Sequence, residues 1–156
     1  IAAEGTEWRM STNITNSEFV IRFPMQTMRR IVVFGVFDIL HPGHLYFLRQ
    51  AKKHGLHLTV VVTRDARVYA EKKRRPFFNE QERLEIVRAL RNVDRVVLGD
   101  RTGEWNVLKH LRPDVVCIGY DQQAKSIDKC GLRKLPKLVR LKRYKKYSAL
   151  ALRGIR

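Results

Sequence analysis

An α/β fold built on a mainly parallel central sheet is predicted by three features of this 156-residue chain. Short runs rich in β-branched residues stay apolar throughout, as strands buried on both faces do. Segments of helical spacing separate them, which argues for strand-helix-strand units with right-handed crossovers. The length fits one domain with a real hydrophobic core.

The elements follow in order. Ile31 to Phe34 is the first strand, bounded by Gly35. His41-Pro-Gly-His44 comes next, and Leu45, Leu48 and Ala51 then recur at helical spacing until Gly55. Leu56 to Thr63 reads as a second buried strand, with Arg64-Asp65 at its carboxyl end. Glu71-Lys-Lys-Arg-Arg-Pro-Phe-Phe78 reads as a basic loop, and Asn79 caps a helix from Glu80 to Leu90. Arg83 falls in the first turns of that helix, where a cation opposes the dipole and needs another reason to be present. Val93 to Leu98 is a third strand, Gly99 to Gly103 a turn and Trp105 to Leu111 a short helix closed by Pro113. Asp114 to Gly119 is a fourth strand, and Leu138, Val139 and Leu141 suggest a last one. Residues 1–28 read as an irregular extension, native or added at cloning, and the domain as residues 29–156.

Composition narrows the function. The net charge of +17 predicts attraction to polyanions: nucleotides, nucleic acid or acidic lipid. Residues 125–156 hold twelve Lys and Arg against the single acid Asp128, so +11 lies there. Cys117 and Cys130 form no Cys-x-x-Cys pair, and Cys117 reads as a buried thiol suited to a reducing cytosol. Glu4, Glu7 and Arg9 interrupt any secretory signal, no run has transmembrane length, and a cytoplasmic location is expected. No Gly-x-x-x-x-Gly-Lys loop is present, so phosphate must be held by another device.

That device is the junction between the first strand and helix. Pro42 fixes a backbone angle and Gly43 removes a side chain, so the chain turns tightly and approaches a ligand closely. The helix points its unpaired N–H groups back at the turn, a ready phosphate site. His41 and His44 would donate hydrogen bonds to phosphate oxygens, more strongly as charge builds in a transition state. The pattern Gly35-x-Phe37-Asp38-x-x-His41-x-Gly43-His44 closely resembles the signature of the cytidylyltransferase-like nucleotidyltransferases. That resemblance covers about residues 30–147.

What the resemblance implies is a Rossmann-like three-layer sandwich with the first strand near the centre of the sheet. It implies transfer of a nucleoside monophosphate from ATP or CTP to a phosphorylated acceptor, releasing pyrophosphate. His41, His44 and Arg143 would be catalytic. Gly35, Phe37, Asp38, Gly43, Gly119, Asp121, Gln122 and Ser148 would bind nucleotide, with Asp38 either orienting the turn or meeting metal through water. Lys72, Lys73 and Arg83 would contact phosphate or acceptor, although for the two lysines a solvated surface explains the run equally well. Asp65 is either a helix N-cap or the family's polar acid. Mg²⁺ is the expected cofactor, accompanying the triphosphate, with no dedicated metal ligands in the chain. Gly119-Tyr-Asp-Gln122 is similar to the Gly-x-Asp-Gln of archaeal-type FAD synthases, which favours FMN as acceptor and ATP as donor. A turn at a strand's end also accounts for Gly119 and Asp121. The alternative is a CTP-dependent enzyme acting on glycerol 3-phosphate or a similar phosphorylated alcohol. Arg143 and Ser148 keep the spacing of the family's second signature, but Ala149 and Leu150 replace its usual hydroxyls. The resemblance also implies a homodimer as one assembly and no membrane partner. Tyr144 and Tyr147, interleaved with Lys and Arg, support a different class of function, a basic nucleic-acid-binding domain, but no recognised motif accompanies them.

Overall fold

The first apolar run forms β1 (Arg30–Gly35) of a computed structural model that describes residues 29–101, 105–122 and 127–144. Residues 1–28 and Ser148 lie outside the described residues. The other strands are β2 (His57–Val62), β3 (Arg95–Leu98), β4 (Val115–Ile118) and β5 (Lys137–Arg140). They pair in the order β3-β2-β1-β4-β5, every neighbouring pair parallel, which puts β1 at the centre as the family resemblance implies. Ile31 pairs with Leu58 on one side and Val115 on the other, so both edges of β1 are hydrogen-bonded.

Strand alternation distributes the core to both faces. Ile31 and Val33 pack in one cluster with Leu48 and Ala51 of α1 (Pro42–Lys52) and with Leu84 and Val87 of α3 (Glu80–Arg88). Val32 and Val116 pack in another with Leu108 of α4 (Asn106–Leu111) and with Cys130 of a 3₁₀ turn (Ile127–Cys130). Helices on both faces of a parallel sheet make the expected Rossmann-like three-layer sandwich.

Helix starts depart from the sequence reading in two places. Pro42 is already the first helical residue of α1, so Gly43 and His44 belong to its opening turn and His41 is its N-cap. Proline at that position has the φ a helix needs, and its missing N–H is one the helix would leave unpaired anyway. The second difference is α2 (Asp65–Lys72), of which the sequence offered only a possible N-cap at Asp65; Asp65 is instead its first helical residue. Its N-cap Arg64 makes no side-chain cap bond. Its start is satisfied from afar instead: the Asp65 N–H donates to Glu80 Oε2 at 2.9 Å, and the Glu80 N–H donates to Asp65 Oδ2 at 3.1 Å. Two helix N-termini thus exchange carboxylates, each favourable to the other's dipole. Asn79 caps α3 as expected, in a full capping box with Glu82.

Candidate active site

The carboxyl ends of the sheet strands open on a cleft of about 1310 Å³, lined by Gly35, His41, His44, Thr63, Lys72, Gly99, Gly119 and Arg143 among others. This is the edge of a parallel sheet where ligands bind. Helix α1 delivers the two imidazoles there, because the N-cap and third helical positions stand close on one end of a helix. The rings stack with centroids 3.8 Å apart and planes inclined by 25°.

The ring chemistry follows from the packing. His41 Nδ1 accepts from the Gly43 N–H at 3.1 Å, which leaves the proton of the neutral ring on Nε2. Burial holds the His41 pKa below the ordinary histidine value. His44 is pushed further, to about 4, first by burial, then by the neighbouring charges of His41 and Lys72, with Asp38 opposing. Two imidazoles in stacking contact resist carrying two charges. His44 Nδ1 is buried and has no hydrogen-bond partner among the described residues. Such a polar atom costs about 1–3 kcal/mol, a local expense typical of binding and catalytic sites.

Gly35 and Phe37 shape the wall beside the pair. Phe37 is buried with a φ of +49°, and its ring lies 2.6 Å from where a Cβ on residue 35 would stand. Only glycine at 35 leaves room for that ring. Asp38 is buried, and its carboxylate accepts the N–H groups of Phe77 at 2.7 Å and Phe78 at 3.1 Å. Of the two roles open to it, orienting the structure is the one these bonds describe. Asp38 anchors the basic segment from Arg74 to Phe78 over the cleft, and Arg74 and Pro76 line the cleft there.

The expected phosphate-binding cations fall in different places. Lys72 lines the cleft, whereas Lys73 closes α2 in a left-handed conformation and is not among the lining residues. Arg83 is 0% exposed and stands behind the wall. Its guanidinium donates to the carbonyls of Val36, Thr63 and Phe78 and to Asp65 Oδ1, the last at 2.6 Å. That is the reason for a cation in the first turns of α3: it ties the ends of β1 and β2 to α2 and α3. Asp65 is thus both a partner in the exchanged caps and the Arg83 counter-charge. Arg143 lines the cleft with its guanidinium carbon 4.9 Å from the Tyr120 ring centre. Asp121 also faces the cleft. Both ends of the Gln122 amide are engaged, Oε1 by the Gly119 N–H and Nε2 by the Phe34 carbonyl, each at 2.8 Å.

Sequence reasoning missed several lining residues. Arg64, Arg67, Arg74, Lys109 and Lys142 add positive charge to the cleft, and Phe34 and Trp105 add aromatic surface, as does Tyr144, which the sequence offered only to nucleic acid. Arg64 and Arg67 are paired with Glu80 and Glu71. Arg74 and Lys142 sit within basic runs already visible in the sequence, so charge was the available signal. Among the described residues, no group of three or more His, Cys, Asp or Glu side chains is placed to hold a metal ion. Also among them, no helix is long and apolar enough to cross a membrane.

A parallel sheet whose carboxyl edge presents a stacked histidine pair, a helix N-terminus and several cations defines a nucleotide-handling α/β protein. The cytidylyltransferase-like family model matches residues 32–151, and the chain belongs to that family. It is similar in particular to proteins named FAD synthase. One, from Methanosarcina barkeri, is 48% identical over 96 residues, covering 62% of this chain and 68% of that one. Another, from Methanohalophilus mahii, is 48% identical over 95 residues, covering 61% and 66%. A third, from Aciduliprofundum boonei, is 46% identical over 121 residues, covering 75% and 80%. Among solved structures, the lipopolysaccharide core biosynthesis protein from Thermoplasma volcanium superimposes with a TM-score of 0.69 at 37% identity, over 76% of this chain and 99% of that one.

Proposed function

We propose that this protein is an FAD synthase, transferring AMP from ATP to the phosphate of FMN with release of pyrophosphate. The observation that carries the reading is the His41–His44 pair, stacked on the first turn of α1 and lining the cleft. The relatives named FAD synthase support ATP and FMN as the substrate pair. An oxygen of the FMN phosphate attacks the α-phosphorus in line, forming one P–O bond as the bond to the leaving pyrophosphate breaks. Such chemistry is mostly alignment and charge neutralisation. His41 Nε2–H and the His44 ring donate to triphosphate oxygens as negative charge moves onto the leaving group. The N-terminal end of the α1 dipole adds to this. Its opening N–H groups are not unpaired as the sequence suggested: that of Gly43 goes to His41 Nδ1 and that of His44 to the His41 carbonyl at 2.9 Å. Lys72 and Arg143, which both line the cleft, neutralise phosphates, while Asp38 and Arg83 hold the surrounding segments in place. Cations outnumber the lining acids Asp38, Glu71, Asp100 and Asp121, and among the described residues no three acids are grouped to hold a metal, so the cleft fits a divalent ion, Mg²⁺ in this reading, that arrives on the triphosphate.

A panel of ATP and CTP against FMN and glycerol 3-phosphate, read by pyrophosphate release and by chromatography of the product, tests this. The expected result is FAD from ATP and FMN, dependent on Mg²⁺. Turnover confined to CTP with glycerol 3-phosphate would move the assignment to the cytidylyltransferases. Salt-sensitive oligonucleotide binding with no nucleotide turnover would remove the enzyme reading altogether.

A further inference from the structure

We infer that Arg140, the last residue of β5, is a positioning residue for nucleotide binding that acts by pinning and neutralising the turn Gly119–Gln122. Its Nη1 lies 3.1 Å from the Gly119 carbonyl, 3.3 Å from that of Tyr120 and 2.7 Å from that of Gln122. Three carbonyl oxygens from one short turn therefore converge on one cationic nitrogen. The same turn is held internally by the Gln122 N–H on the Gly119 carbonyl at 3.3 Å and by the Gly119 N–H on Gln122 Oε1 at 2.8 Å. The Gln122 side chain then ties it to the Phe34 carbonyl in β1 at 2.8 Å. The turn is thus strapped to the central strand on one side and to β5 on the other.

The charge matters as well as the geometry. Gly119, Tyr120 and Asp121 line the cleft and bring one carboxylate with them. The Asp121 carboxylate gives this rim a negative potential unfavourable to a phosphate-rich ligand, while the three carbonyl dipoles turn their oxygens to Arg140. Arg140 places a fixed positive charge at the focus of those dipoles. It is exposed, and it is not among the cleft-lining residues, so it acts through the turn and not by touching substrate. Its exposure also separates this role from fold maintenance, in contrast to Arg83.

The kinetic part of the test rests on the FAD synthase reading, and the exchange part does not. Amide hydrogen exchange of the nucleotide-free protein and steady-state kinetics with ATP and FMN would be measured for wild type, Arg140→Ala and Arg140→Lys. In Arg140→Ala, exchange at the Gly119 and Gln122 amides should speed up about tenfold and the KM for ATP should rise about tenfold, as loss of charge-assisted bonds requires. The kcat and the KM for FMN should stay within about twofold, since no group touching the reacting atoms has changed. Lysine, whose ammonium offers three donors to three carbonyls, should recover both readouts to within about threefold. Unchanged exchange at those two amides overturns the inference. So does an effect confined to kcat, or a lysine variant as impaired as alanine. A wild-type protein that makes no FAD defeats the enzyme reading instead and leaves the exchange result to decide the role of Arg140.

Discussion

Lowering the pH from 7 to 4 should leave His44 neutral over most of the range, and this should weaken the fold in a measurable way. Burial, the stacked His41 ring and the Lys72 charge hold its pKa at about 4 in the folded chain, against the ordinary 6.5 in the unfolded one. Between those values the unfolded chain binds a proton at residue 44 that the folded chain refuses. Stability therefore rises with pH through the window and is lost as pH falls from 6.5 toward 4. At 1.36 kcal/mol for each pH unit, the loss assigned to this ring reaches about 3 kcal/mol. Carboxylates titrate in the lower part of the same range, so the quantity to read is the difference between wild type and His44→Gln. Urea denaturation across the range gives that difference, and NMR of the histidine Cε1 resonances gives the midpoint directly. Added nucleotide should move the midpoint upward, because phosphate charge favours the imidazolium. A His44 midpoint near 6.5 in the nucleotide-free protein would refute the reasoning, as would a stability difference that stays flat with pH.

Three substitutions probe the supporting structure. Arg83→Lys keeps the charge but cannot reach four acceptors at once, and should cost about 3 kcal/mol in urea denaturation, the scale for breaking a buried pair. Asp38→Ala frees the Phe77 and Phe78 N–H groups. Since Phe77 is 69% exposed and water can replace part of the loss, the expected cost is about 2 kcal/mol of stability, with a clear rise in substrate KM as the segment bearing Arg74 loosens. Gly35→Ala drives a methyl group against the buried Phe37 ring and should cost about 1–3 kcal/mol, measured by thermal or urea unfolding.

Much of the fold was legible because it is written locally. The four apolar runs need only their own residues to announce buried strands, and Asn79 followed by Glu82 announces a helix start. β1 and the His-Pro-Gly-His turn were readable for the same reason, and so was the cleft they open onto. Helix α2 was not, since the bonds that begin it come from Glu80, fifteen residues away. It has a single buried residue, Val68, so no apolar stripe betrays it. Arg83 was conspicuous as a misplaced cation, but its purpose depends on Val36, Thr63 and Asp65, which only the folded sheet brings to it. Gln122 and Arg140 make the same point: their partners are 88 and 18 to 21 residues distant. Residue type and spacing locate a site, whereas the second layer that holds it is set by tertiary contacts.

The central claim is that the stacked imidazoles at the start of α1 carry nucleotidyl transfer, and FAD formation from ATP and FMN by wild type and His44→Ala tests it most directly. The wild type should make FAD and pyrophosphate in equal amounts. His44→Ala should retain its fold by circular dichroism while kcat falls about 10²–10³-fold, the loss expected for one transition-state donor. A folded His44→Ala protein that turns over at the wild-type rate would contradict the account.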